Sequence, residues 1–514
     1  MAFGKLLSPF QMFGKLRVAA QTAVPVVIMS KKLATYLLLL LLLLNALTAC
    51  GPDEGEPTLP LEPCQLEGGV AAQCGTLAVP ENRELDDTRM IDLNIAVIPA
   101  NDNNPQPDPL FMLAGGPGQA AVDTYPLVIS ALEDLNEERA IVLVDQRGTG
   151  ASGALSCENL QDEALPPDLT DEEVTELLQA CATTLAETVD LTQYTTEIAM
   201  TDLDEVRQAL GFEQINLYGA SYGTRAALTY ARLFPERVRT MVLDAVVGPD
   251  LTLFLQMPRD GERALELLFE RCATDPICND TFPDLEAEYD ALLARLDEPR
   301  MLTVTDPVSG EALEITLTRD RFTRFIFNTL YSTDLVALLP LLIHQAHETG
   351  DYGPLVAQAF AVGAVSGLEP GLLYAVTCTE DAPFIDVSDV ERLQESTRFA
   401  AQSALFLEIC EAFPSGEVSP ALREPLESDI PTLLLSGEAD PVTPPAYAAG
   451  VAEFLPNSRH VIAPYFGHGL LTRGCVPRLM TSFIAGGSIE DLDVSCAEEL
   501  RPPPFFVNFA GPPP

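Results

Sequence analysis

Ser221 stands between two glycines in Gly219-Ala220-Ser221-Tyr222-Gly223, a match to G-x-S-x-G. Alone the pattern is weak, because a serine in an ordinary Gly-rich bend is spelled the same way. Its surroundings point to chemistry. Ile215 and Leu217 belong to a short apolar run of strand length, and Ala226, Ala227, Tyr230 and Leu233 then recur at helical spacing until Pro235. A strand–turn–helix holds a serine out on a sharp bend and aims the first N–H groups of the helix at developing negative charge. The hydroxyl becomes a useful nucleophile only when a nearby base takes its proton, and the base needs a third group to fix its tautomer.

The chain has four histidines. His344 and His347, in "LLPLLIHQAHE", have helical spacing and read as residues of an insertion. His460 opens an apolar strand and reads as structural. His468 lies between Gly467 and Gly469 just after a strand, in a loop able to present its ring, and is the candidate base. Asp440 ends the preceding strand in "SGEADPVTP" and is the candidate acid. Glu438 and Asp145 are the competing acids; Asp145, followed by Gln146-Arg147, is expected to pair structurally with Arg147. The order Ser, Asp, His along the chain is that of the α/β-hydrolase fold. Charge developing on a substrate carbonyl needs two N–H donors. One is Tyr222, next after the serine, and the other is expected from the loop "AGGPG" (114–118), whose plainer reading is a tight turn.

The elements that must carry these residues are legible as apolar patterns. Ile91, Leu93, Ile95 and Val97 alternate with period two, as in a half-buried antiparallel strand. "PLFMLAGGPG" and "RAIVLVDQRGTG" are continuous apolar runs ending in glycines, as strands covered on both faces read. "TEIAMTDLDEVRQALGF" places Ile198, Leu203, Val206 and Leu210 on one helical face, and the strand before Ser221 and "TMVLDAVVG" follow. Strands alternating with helices predict a mostly parallel α/β sheet. From 251 to 428 the pattern turns helical, and "TLLLSGEAD" and "RHVIAPYFGHG" then restore strands. The expected organisation is a core at 64–250 and 429–497, interrupted by a helical cap at 251–428 and followed by a Pro-rich tail at 498–514, extended or disordered.

Taken in order, "CGTLAVPEN", "LAGGPG", "VDQRGTGAS", "YGASYGT", "GEADPVTP" and "FGHG" resemble the secreted tripeptidyl aminopeptidase-like and proline iminopeptidase-like hydrolases, over about residues 74 to 496. The resemblance implies an α/β-hydrolase fold with a helical cap and exopeptidase chemistry at peptide N-termini. It implies Ser221 as nucleophile, Asp440 as acid, His468 as base, and Gly116 with Tyr222 as oxyanion donors. One departure stands out: proline iminopeptidases read His-Gly-Gly-Pro-Gly, and here Ala114 replaces the histidine. Such aminopeptidases need acids to hold the substrate ammonium, for which Glu380 and Asp381 in "TCTEDAPF" are the candidates; a solvated acidic pair is the plainer reading. Small peptides are the implied substrates. A carboxylesterase or lipase on the same fold is the alternative, because triad chemistry serves esters and amides alike. A surface lipoprotein that binds without turnover is the third.

The N-terminus reads as an export signal. Lys31-Lys32 precede eight leucines at 37–44, and Leu47-Thr48-Ala49-Cys50 resembles a bacterial lipobox, implying cleavage before Cys50 and its lipidation. The run is shorter than the roughly 20 residues that span a bilayer. Met29 opens what looks like a complete signal, so residues 1–28 can be a mis-assigned start within the 1–49 signal. Residues 50–63 are a Pro- and acid-rich tether. The expected location is outside the cytoplasm, anchored to a membrane through the lipid alone. No lysine follows Cys50, and the first 49 residues hold 5 of the 29 basic residues. The rest therefore carries 29 − 5 = 24 arginines against 76 acids, a net charge of −52. That charge favours solubility and excludes nucleic acid and anionic surfaces as partners. Ten cysteines besides Cys50 in an exported chain predict disulfides. Their spacing suggests consecutive pairing: Cys64–Cys74, Cys157–Cys181, Cys272–Cys278, Cys378–Cys410 and Cys475–Cys496. With no C-x-x-C pair and no His-rich cluster, neither metal nor cofactor is expected.

Overall fold

The continuous apolar runs form the centre of one sheet. A computed structural model describes residues 59–157, 169–305, 310, 312–363, 367–399 and 401–512. Cys50, the leucine run and the tether as far as 58 lie outside the described residues. The strands are β1 (Glu62–Gln65), β2 (Ala71–Pro80), β3 (Met90–Ile98), β4 (Leu110–Leu113), β5 (Ile141–Val144), β6 (Ile215–Ala220), β7 (Val238–Asp244), β8 (Arg300–Thr305), β9 (Ala312–Leu317), β10 (Thr432–Gly437) and β11 (Ser458–Ala463). Nine of them make one sheet in the order β1-β2-β3-β5-β4-β6-β7-β10-β11. The pairs from β5 through β11 are parallel; those joining β1, β2, β3 and β5 are antiparallel. This is the α/β-hydrolase fold, a mostly parallel sheet with helices.

Alternate residues of each central strand point to opposite faces. Phe111, Leu113, Val142, Leu217, Met241 and Leu434 join one apolar cluster, and Leu110, Met112, Leu143, Tyr218, Val242 and Leu435 join another. The first face is covered by helices α1 (Asp171–Leu185), α2 (Thr196–Ala209) and α3 (Tyr222–Leu233), which contribute Leu178, Leu203, Val206 and Ala227. Of the expected α2 face, Leu203, Val206 and Leu210 are buried, while Ile198 is half-buried and Met200 takes its place. Strand β3 follows its alternation at first: Ile91, Leu93 and Ile95 face the first cluster. Beyond Ile95 it is buried on both sides, since Ala96 and Ile98 enter the second cluster.

The segment 251–428 is mostly helical but is not one body. Helices α4 (Leu253–Thr274) and α5 (Arg319–Leu330) pack with the antiparallel hairpin β8–β9 around their own cluster, built from Leu265, Tyr289, Ile315, Phe322 and Ile326. The later helices α6 (Pro370–Glu380) and α7 (Ala401–Cys410) instead place Leu372, Val376, Phe406 and Ile409 in the first sheet-face cluster. The tail is extended and docked on the cap: Phe505 is 2% exposed, its ring lies 4.1 Å from the Arg271 guanidinium, and Phe506 N–H donates to the Ala337 carbonyl at 3.0 Å. The five disulfides join each cysteine to the next, Cys64 to Cys74, Cys157 to Cys181, Cys272 to Cys278, Cys378 to Cys410 and Cys475 to Cys496. Among the described residues no helix is long and apolar enough to cross a membrane.

Candidate active site

Ser221 sits at the carboxyl end of β6, with φ 55° and ψ −124°, a conformation that L-residues rarely adopt. The surrounding packing enforces the bend. A Cβ added at Gly219 would lie 2.2 Å from the Gly223 carbonyl oxygen, and one at Gly223 would lie 2.3 Å from that of Leu113. The glycines are therefore required by close approach of backbone to backbone. Ser221 N–H donates to the Asp244 carbonyl at 2.9 Å, and its own carbonyl accepts from Thr224 N at 2.9 Å. The next residue, Tyr222, begins α3. Its hydroxyl is tied to Thr196 Oγ1 at 2.8 Å and accepts from Gln146 Nε2 at 3.2 Å, so the helix start is fixed by its side chain as well. On the glycine loop, Gly115 faces the serine most closely, with its Cβ position 3.2 Å from Ser221 Cβ; Gly116 follows it.

Asp440 and His468 follow β10 and β11, two and three strands beyond β6, at the same edge of the sheet. Asp440 is fully buried. Its Oδ1 accepts from Val442 N at 2.8 Å and Thr443 N at 2.9 Å, and its Oδ2 accepts from Thr443 Oγ1 at 2.7 Å. His468 Nδ1 lies 2.8 Å from Oδ2. A carboxylate only accepts, so the imidazole proton sits on Nδ1 and the Nε2 lone pair is left to take a proton. Burial opposes the charge on Asp440, but His468 and the donated N–H groups outweigh it and hold the carboxyl below the usual range. Burial likewise opposes the imidazolium, yet Asp440 and then Asp244 outweigh it and hold His468 above the ordinary histidine value.

Three participants were not anticipated from sequence. Thr443, in "DPVTP", bonds Asp440 and lies 3.3 Å from His468 Nδ1. Asp244, fully buried, accepts from Leu470 N, Leu471 N and Tyr218 Oη, each at 2.9 Å, and so ties the histidine loop to the strand beside the serine. Burial pushes its carboxyl up to about 6. An acid ending the apolar run "TMVLD" was the available signal. Tyr331 is the third, its ring edge-on to His468 with centroids 5.2 Å apart.

The other candidates lie elsewhere or are otherwise engaged. Glu380 and Asp381 are corrected as holders of a substrate ammonium. They are 5% and 0% exposed, and both are committed beneath α3. Asp381 takes two 3.0 Å bonds from Arg225, one turn beyond Ser221, while Glu380 accepts from Thr196 N at 2.7 Å and Thr196 Oγ1 at 2.8 Å. A buried carboxylate already neutralised by a guanidinium has no charge left to offer an incoming cation. The expected Asp145–Arg147 pair is also replaced. Asp145 accepts from Asn94 Nδ2 and Val122 N at 2.8 Å each, and Arg147 pairs with Asp202 at 2.6 and 2.8 Å. Glu438 caps Tyr465 N at 3.0 Å. His344 meets Glu288 at 2.9 Å in the cap, and His460 meets Ser436 at 3.0 Å.

Comparison with known proteins agrees with this architecture. Residues 108–295 match the family described as alpha/beta hydrolase fold, and residues 396–496 match the one described as TAP-like protein. The chain is 25% identical over 503 residues to the serine protease Hip1 of Mycobacterium tuberculosis, covering 87% of this chain and 92% of that protein. It is 25% identical over 468 residues to the tripeptidyl aminopeptidase of Streptomyces coelicolor, covering 84% of each. A proline iminopeptidase of Xylella fastidiosa is 28% identical over 143 residues, 28% of this chain and 34% of that one.

Proposed function

The chain is an α/β-hydrolase, and on that premise we propose that it is an exported serine exopeptidase releasing N-terminal residues or short peptides through an acyl-enzyme on Ser221. The reading rests on one observation above others: a buried carboxylate lies 2.8 Å from the Nδ1 of a histidine whose loop shares a sheet edge with a serine on a strained elbow. In this mechanism Ser221 Oγ attacks the peptide carbonyl as His468 Nε2 takes its proton. Asp440 keeps the ring in the right tautomer and stabilises the imidazolium. Charge on the carbonyl oxygen is met by the N–H groups of Tyr222 and Gly116. Nε2 returns the proton to the leaving amine, and a water deprotonated in the same way releases the acyl group. The peptide substrate class is supported by the names of the relatives, a serine protease and a tripeptidyl aminopeptidase, each aligned over more than four-fifths of its own length.

Export is supported by the five disulfides. Residues 1–49 act as the signal in this reading, Cys50 carries the lipid, and residues up to 63 tether a core at 64–250 and 429–497 that is interrupted by the 251–428 insertion. Ser221→Ala should lower turnover by roughly 10⁴–10⁶, and a fluorophosphonate should label wild type alone. Tripeptidyl arylamides with a free amine should be hydrolysed far faster than N-acetylated ones. Equal labelling of both proteins contradicts the nucleophile, and equal rates on both peptides replace the exopeptidase with an esterase.

A further inference from the structure

The cap reaches the histidine loop through backbone. His468 N–H donates to the Tyr331 carbonyl at 3.0 Å, and the preceding amide, Gly467 N, donates to Thr333 Oγ1 at 2.9 Å. Tyr331 caps the end of α5 and Thr333 opens the short helix Thr333–Val336 just after it, where Thr333 is buried. The contact is close enough that a Cβ on Gly467 would lie 2.6 Å from the Tyr331 carbonyl oxygen. Beside these bonds the Tyr331 ring stands edge-on to the imidazole, with the planes at 66°. The loop of the acid is engaged as well. Val442 belongs to the cap's own apolar cluster, Arg263 of α4 donates to the Glu438 carbonyl, and Tyr447 donates to Asp260 of α4.

The histidine loop is thus shared. Its amides at 467 and 468 are bound by the cap, while those at 470 and 471 are bound by Asp244 of the sheet. The Asp440 bond alone fixes one ring nitrogen and leaves the ring's tilt and the loop's height open. Bonds on either side of Cα, with an aromatic wall against the ring, fix where Nε2 points. We propose that Tyr331 and Thr333 are positioning residues for His468, so that the cap is part of the mounting of the base rather than a lid that swings clear of it. This rests on His468 being the base, and adds that a cap-borne acceptor is required for full turnover.

Thr333→Val keeps the shape and volume but leaves Gly467 N without its acceptor, and a small displacement of a reacting group costs up to about 100-fold in rate. The experiment measures kcat and KM for wild type, Thr333→Val, Thr333→Ser, Tyr331→Leu, Tyr331→Phe and His468→Ala on a p-nitrophenyl ester and a tripeptidyl arylamide. Circular dichroism accompanies each variant. Thr333→Val and Tyr331→Leu should lose about 10- to 100-fold in kcat on both substrates, with KM within about twofold. Thr333→Ser, which restores the acceptor, and Tyr331→Phe, which keeps ring and carbonyl, should retain most of kcat. Wild-type kcat in folded Thr333→Val, or a Thr333→Ser as slow as it, overturns the proposal. If Thr333→Val fails to fold, wild-type kcat in Tyr331→Leu does the same. Turnover surviving in His468→Ala would instead remove the base assignment itself; an inactive His468→Ala beside an unimpaired Thr333→Val removes only the brace.

Discussion

In the proposed mechanism His468 has to be neutral to accept the serine proton, so the carboxylates around it would set the lower end of the working pH range. Asp440 is bonded to the ring and Asp244 holds the loop below it, and together they outweigh the burial that would otherwise favour the neutral ring. The acid limb of kcat/KM should therefore fall above the ordinary histidine value of about 6.5. Asp244→Asn removes one negative neighbour, which makes the imidazolium less favourable. The limb should then move to lower pH while kcat falls through loss of the charge-assisted bonds to Leu470 and Leu471. A pH–rate profile of the variant checks the sign; an unmoved limb contradicts the electrostatic part of the account. At this scale the candidate triad residues stood out in the sequence because each sits where an apolar run meets a glycine or a turn. Thr443 and Tyr331 did not, because a threonine and a tyrosine carry no local mark of the acid and the ring they touch.

The elements differ in how much of themselves they show. Strands β4, β5 and β10 are buried along their whole length and read as unbroken apolar runs. The hairpin β8–β9 was missed although Leu313, Ile315 and Leu317 alternate with Glu314 and Thr316, because its two six-residue strands bury little beyond Val304, Ile315 and Leu317 and lie within a segment read as helical throughout. Helix α6 shows a different limit. Its Glu380-Asp381 end looks like a recognition site for a cation, but the cation it meets is Arg225, 156 residues earlier in the chain. Nothing local announces that partner. The pair is sealed between α3 and α6, so Asp381→Asn should leave the buried guanidinium with only the longer 3.7 Å pair to Glu380 and cost up to about 3–5 kcal/mol, read as a lower midpoint in urea. A surface-like effect below about 1 kcal/mol would contradict the reading of this ion pair as a structural bolt beneath the nucleophile helix.

At the scale of the molecule, one sheet carries Ser221, Asp440 and His468, and the chain leaves it between β7 and β10 to build a cap that returns to touch the loops of Asp440 and His468. Disulfides staple it at five places, which suits a protein working where thiols are oxidised. If the Leu-Thr-Ala-Cys sequence directs lipidation, Cys50→Ser should shift the protein from the membrane to the soluble fraction after export; retention of the variant would point to an uncleaved anchor. The strongly acidic composition was plain in the sequence, but it says only that the surface is solvated and repels anions. The central claim, an exopeptidase acting through an acyl-enzyme, is tested most directly by acid-quenching the enzyme during turnover of a free-amine tripeptidyl ester and mapping the adduct by mass spectrometry. The account predicts a tripeptidyl group, the tripeptide less one water, on the peptide that contains Ser221, and none on Ser221→Ala. A tripeptidyl group on another residue, or product formed in a burst with Ser221 unmodified, would contradict it.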